Sequence, residues 1–158
     1  MTSDPSTGKE SLIREDLIAL LREMSLFKEL PRGELKYLAY SLRSLAMDAN
    51  EIIFRENDDG ESFYIVISGQ VDVIMAMDTP DEKLLGTLGP GEYTGEMSLV
   101  IPGGKRSASV RTRSASQLLV MTREDFDELL HRQPRVAYAM VKVISTRLRR
   151  ADNIAFQS

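Results

Sequence analysis

GEMSLVIPGGKRSASV, residues Gly95–Val110, is the most informative segment of this chain. It brings one carboxylate, Glu96, and one guanidinium, Arg106, into a short insert between strand-like runs. Small residues accompany both charges. Backbone N–H groups approach an anion only where side chains leave room, and Gly95, Ser98 and Ser107 leave it. Simpler readings exist for each residue alone. A lone Arg in a polar loop is ordinarily a solvated charge, and a Gly-Glu pair is commonplace. Glu96 would also suit the start of a short helical turn over Met97–Val100, where an acid favours the helix dipole. The combination of spacing, small residues and surrounding β pattern is what sets the stretch apart.

Outward from it the chain reads as β. Ile52–Phe54, Phe63–Ile67, Val71–Met77, Leu84–Leu88, Ala108–Arg113 and Gln117–Met121 are short β-like runs separated by Gly, Asn, Asp or Pro clusters. Many short strands with regular turns imply a sandwich or barrel. Turns are expected at Asn57–Gly60, Ser68–Gln70 and Gly89–Gly91, with Gly60, Gly69 and Gly91 supplying positive φ. Asp58 and Asp59 beside Gly60 hint at a calcium loop. That motif needs further oxygen ligands at set spacing and helical flanks, whereas the flanks here are strands.

Helical periodicity brackets the β region. Leu12, Ile13, Leu17, Ile18, Leu20, Leu21 and Met24 form one apolar stripe over Ser11–Met24. Pro31–Leu42 reads as a second short helix with Leu35, Leu38, Ala39 and Leu42 inward. After Met121, Thr122 can cap a helix with Asp125 at its third position and Phe126, Leu129 and Leu130 on its apolar face. His131 then falls where a helix C-terminus favours a cation. Pro134 fits the first turn of a last helix running to about Asn153 or beyond. Along it Ala137, Val141, Ile144, Leu148, Ala151 and Ala155 recur at spacings of four and three. This seam could pair two copies of the chain, or pack on the chain's own β layer.

The two halves of the opening stretch, Gly95, Glu96, Met97, Ser98 and Leu99, then Arg106, Ser107, Ala108, Ser109 and Val110, resemble the phosphate-binding cassette of cyclic nucleotide-binding domains. LFKELPRGELKYLA, residues 26–39, resembles that family's N-terminal helical bundle, and Gly60, Gly69 and Gly91 match its tightest turns. The resemblance runs from about Leu12 to Asn153. It implies a mixed α and β fold: an antiparallel β-roll, a double-stranded jelly-roll-like barrel, flanked by an N-terminal helical bundle and a C-terminal hinge and long helix. The expected organisation is a flexible leader over 1–10 and one domain over 11–158, with N-terminal helices to 43, the roll over 44–121 and C-terminal helices over 122–156.

The site follows from the same resemblance. A cyclic phosphodiester carries one negative charge on two exocyclic oxygens, which a planar guanidinium meets with parallel hydrogen bonds, and Arg106 is the expected donor. Glu96 stands where the family accepts from the ribose 2′-hydroxyl. Gly95, Met97, Ser98, Ser107 and Ala108 complete the expected ligand contacts. The last helix is the family's lid over the base, and Asp152 near its end is the expected base contact. A carboxylate accepts but cannot donate, so Asp152 would favour guanine, whose edge offers two donors. Ser107 leans the same way, since its hydroxyl could reach a syn guanine. Bacterial-type chains of this pattern more often take cAMP. The expected ligand is thus cAMP or cGMP, with no further cofactor. The expected role is a regulatory sensor that transmits closure of its C-terminal helix to a partner or fused domain. The competing reading is a ligand-free β-roll used for dimerisation or protein interaction.

Composition narrows the alternatives. With 158 residues, 42% of them hydrophobic, the chain can bury one ordinary core. Cys is absent and His131 is the single histidine, which excludes disulfides, iron–sulfur clusters, zinc knuckles and a metal-dependent phosphodiesterase or cupin. No glycine-rich loop in βα context suggests a kinase or cyclase. The chain is therefore not expected to be an enzyme. A net charge of −4 argues against a nucleic-acid surface, and Arg147, Arg149 and Arg150 read as the solvated face of a helix with no recognition helix after it. No run has the length of a membrane span and no signal peptide is evident, so no membrane contact and a cytoplasmic location are expected.

Overall fold

The computed structural model describes residues 15–96 and 103–157, and the backbone alone at 147, 148 and 150–157. The expected leader, Met97, Ser98, the turn over Met97–Val100 and the side chain of Asp152 lie outside the described residues.

A helix over 15–23 (α1) and α2, Arg32–Ser41, precede eight strands: β1 Arg43–Met47, β2 Ile52–Phe54, β3 Ser62–Ser68, β4 Val71–Met75, β5 Lys83–Leu88, β6 Tyr93–Thr94, β7 Ser109–Thr112 and β8 Ser116–Thr122. Two helices follow, α3 Arg123–Arg132 and α4 Arg135–Gln157. The strands form two four-stranded sheets in the orders β1-β8-β3-β6 and β2-β7-β4-β5, antiparallel at every pairing. This is the expected mixed α and β fold with its antiparallel β-roll.

Successive side chains on a strand point to opposite faces, and β3 and β8 use both. Phe63, Ile65, Leu119 and Met121 pack outward against Leu17, Ile18 and Leu21 of α1, Leu35, Leu38 and Ala39 of α2, and the C-terminal helices. Val66 and Leu118 point inward, where they meet Val71 and Val110 of the second sheet. The inner surface also carries partly buried Phe54, Tyr64, Val73 and Leu88. Helices thus roof one sheet, and a second, smaller core lies between the sheets.

The α3 helix is pinned at both ends. Thr122 Oγ1 accepts from the Asp125 N–H at 3.1 Å while Asp125 accepts from the Thr122 N–H at 3.1 Å, the expected capping box. Phe126 meets Phe63 edge-on at 6.1 Å, and Phe63 meets Tyr93 at 5.8 Å. At the far end Arg132 donates to Glu34 of α2 at 3.2 Å and its guanidinium lies 4.4 Å from the centre of the Tyr37 ring. Arg135, opening α4, donates to the Glu29 carbonyl at 3.1 Å. The junction between α3 and α4 therefore rests on α2 and the turn that precedes it.

Three expectations need correction. The strand expected over Val71–Met77 stops at Met75, because Ala76 and Asp78 take left-handed φ values of 54° and 63° and turn the chain. In the turn Asn57–Gly60 the left-handed conformation is at Asn57, φ 72°, which a short amide side chain tolerates, rather than at Gly60. On α4 the stripe packed on the chain's own core is Val136 and Met140, with Val143 and Ile144 partly buried; of the expected seam's described side chains Ile144 alone joins it. Ala137 and Val141 face outward, Val141 at 59% exposure and neighbouring Tyr138 at 67%. Among the described residues no helix is long and apolar enough to cross a membrane.

Candidate functional site

The turn after β2 builds one wall of the site. Asp58 Oδ2 accepts from the Arg55 N–H at 3.0 Å, closing the turn on itself. Its backbone then grips the second half of the 95–110 insert: the Asn57 N–H donates to the Arg106 carbonyl and the Arg106 N–H to the Asp58 carbonyl, both at 2.8 Å. Asp59 pairs with Lys105 as an antiparallel bridge and as an ion pair. The Ser109 hydroxyl accepts from the Glu56 N–H at 2.9 Å. These acids are therefore used to hold the insert, and among the described residues no group of three or more acids, His or Cys could hold a metal.

Held this way, Arg106 points into the molecule and is only 5% exposed. Its guanidinium donates to the Ser62 carbonyl at 2.7 Å and to the Gly95 carbonyl at 3.2 Å. Nε has no acceptor, and no carboxylate among the described residues forms an ion pair with it. Burial holds the Arg106 pKa below its ordinary value, against the opposing influence of Tyr64, Asp58 and Glu61. An arginine stays charged even so. Burying a cation is costly unless an anion or enough acceptors surround it. Arg106 is thus kept desolvated, with its Nε–H unused among the described residues.

Gly95 is required by the same geometry. Its φ is +90°, and a Cβ there would stand 2.5 Å from Arg106 Nη1 and 3.2 Å from the Ser62 carbonyl oxygen. The next residue, Glu96, is 3% exposed. The structure thus brings Gly95 and Arg106 together through the Gly95 carbonyl, with Glu96 the next residue along the chain. Ala108 is buried beside Ser109, whereas Ser107 is exposed. Sequence reasoning missed Phe54 and Ser62, which touch Arg106 directly. The available signal was an aromatic at the strand end that leads into the Asn57–Gly60 turn. An open cavity elsewhere, lined by Met47, Asp48, Glu51, Ser68, Ser116 and Gln117 among others, offers only acidic charges and shares no residue with this cluster.

The Arg106 guanidinium, without an ion pair among the described residues, thus lies buried inside a helix-roofed antiparallel roll. The model of the cyclic nucleotide-binding domain matches residues 45–133, more than half of the chain, and the chain belongs to that family. It is 41% identical over 100 residues to the cyclic AMP receptor protein of Thermus thermophilus, covering 63% of this chain and 46% of that protein. The crystal structure of the Thermus thermophilus catabolite activator protein superposes with a TM-score of 0.76 at 34% identity, covering 83% of this chain and 61% of that one. The regulatory domain of Toxoplasma gondii PKA with cAMP gives a TM-score of 0.66 at 29% identity, covering 80% and 46%. The chain spans about half the length of these relatives.

Proposed function

We propose that this domain binds a 3′,5′-cyclic nucleotide, cAMP in preference to cGMP, and signals occupancy through its C-terminal helix to a partner or fused domain. The observation that carries this reading is the buried Arg106 guanidinium with its unused Nε. Arg106 meets the cyclic phosphate, with Gly95, Met97, Ser98, Ser107 and Ala108 around it, and Glu96 accepts from the ribose 2′-hydroxyl. The preference for cAMP draws on the ligand named with the Thermus and Toxoplasma relatives; Asp152 is the residue that would pull toward guanine. The role is that of a sensor and not an enzyme. Calorimetric titration with cAMP, cGMP and a cyclic dinucleotide tests the whole reading, and no binding to any of them would overturn it.

Glu96 gives a sharper expectation. Glu96→Gln should weaken cAMP by roughly tenfold or more, the order expected for a hydrogen bond to a charged group. The same substitution should matter much less for 2′-deoxy-cAMP. Equal losses for both sugars would make Glu96 structural.

Closure has its own readout. A ligand shifts a conformational equilibrium only by binding one state more tightly. On cAMP addition, amide exchange in α4 should slow while β3 and β4 change little. Uniform slowing across the chain would instead report global stabilisation by mass action.

A second reading is supported by one observation: α4 keeps Tyr138 and Val141 outward although its other face is packed. Pairing of two copies along this helix would cover them. Dimerisation is compatible with ligand binding, and sedimentation at several concentrations measures it independently.

A further inference from the structure

Phe54 ends β2, and in the sequence it reads as one more apolar strand residue. In the structure its ring lies against the Arg106 guanidinium, whose Cζ is 4.1 Å from the ring centre. Tyr64, on the facing sheet, is 5.9 Å from the Phe54 ring and 6.0 Å from the same Cζ. The Ser62 and Gly95 carbonyls hold the guanidinium by its edges. Edge contacts set where the nitrogens lie but leave the plane free to tilt. A ring face opposes that tilt, and its attraction for a cation is largest where the cation is desolvated, as Arg106 is. Two parallel N–H bonds to a phosphodiester form only when the plane is correctly presented.

We propose that Phe54, backed by Tyr64, is the positioning residue of the anion site, holding the Arg106 plane at the tilt needed for a two-pronged contact with a phosphodiester. The inference rests on the cyclic-nucleotide reading of the site. Phe54 acts through Arg106 and is assigned no contact with the ligand.

The test is calorimetric titration of cAMP into the wild-type chain and into Phe54→Tyr, Phe54→Leu and Phe54→Met, with thermal unfolding of each. Phe54→Leu is also made in an Arg106→Lys background, which keeps the charge and loses the plane. Phe54→Tyr should bind like the wild type, and the aliphatic variants about 3- to 30-fold more weakly. In the Lys background the Leu substitution should cost no more than about twofold, since an ammonium has no plane for the ring to hold and only the weaker ring–cation attraction remains to be lost. Wild-type affinity in a folded aliphatic variant, a loss in Phe54→Tyr as large as in Phe54→Leu, or an equal loss in both backgrounds would overturn the proposal. So would the failure of both aliphatic variants to fold, which would make Phe54 a core residue first. A wild-type chain that binds no cyclic nucleotide is a different result: it removes the sensor reading itself, and this inference with it.

Discussion

Arg106→Ala is expected to weaken cAMP binding by about 30- to 5,000-fold, the equivalent of the roughly 2–5 kcal/mol lost when one partner of a desolvated charge pair is truncated. The ligand-free protein should not suffer correspondingly. Among the described residues Arg106 has no ion pair, so its removal also removes a desolvated charge, and the unfolding midpoint without ligand should hold or rise. Lys105 is the neighbouring control. It is exposed and tied to exposed Asp59, an arrangement worth little in water, so Lys105→Ala should change affinity by no more than a few-fold. If Lys105→Ala is the more damaging of the two, Arg106 does not carry the phosphate. Titration and thermal unfolding of the two variants decide both points.

The largest loss of stability is expected from Gly69→Ala. Gly69 turns β3 into β4 with φ +86°, and a Cβ there would lie 2.8 Å from the Ser116 Cα and against Ser116 Oγ and the Ala115 carbonyl oxygen. Two of those three neighbours are backbone atoms, one in the turn before β8 and one at the first residue of β8, the strand between β3 and β1, so the backbone itself would have to move. The expected cost is about 2–4 kcal/mol, seen as a lower urea midpoint with an unchanged m-value. Gly91 isolates the two contributions. Its φ is +85°, but its nearest neighbour is Leu20 Cδ1 at 3.6 Å, so Gly91→Ala meets the conformational penalty alone, about 1–2 kcal/mol. Equal losses at the two positions would show that crowding at Ser116 contributes nothing.

These expectations also mark what could be read before any coordinates. The runs that became β2, β3, β4, β5, β7 and β8 were legible because each combines β-branched or aromatic residues with a turn signal at its ends. β1 was not. Its sequence, Arg-Ser-Leu-Ala-Met, has only Leu45 and Met47 facing the inner core and follows α2 after one residue, so neither period stands out. β6 spans two residues, too few to show any period, and exists because Tyr64 and Ile65 of β3 offer it a partner. In the site, Glu96 and Arg106 were visible as charges among small residues. Ser62 was not, because it contributes a backbone carbonyl that any residue would supply. Phe54 was hidden for another reason: its role depends on a neighbour a third of the chain away.

The two faces of β3 have a consequence for how such a domain can diversify. Ser62 offers its carbonyl to Arg106, while the adjacent Phe63 packs on Phe126 of the hinge helix. Alternation along the strand separates the residues that face the roll interior, Tyr64 and Val66, from those that seat the helices, Phe63 and Ile65. Natural variation or laboratory selection can therefore reshape the interior without disturbing the helical roof. An insertion of one residue in β3 would exchange the two sets and lose both at once. The lining of the roll and the seat of the helices are written in alternate letters of one strand, free to change in identity but bound to a common count.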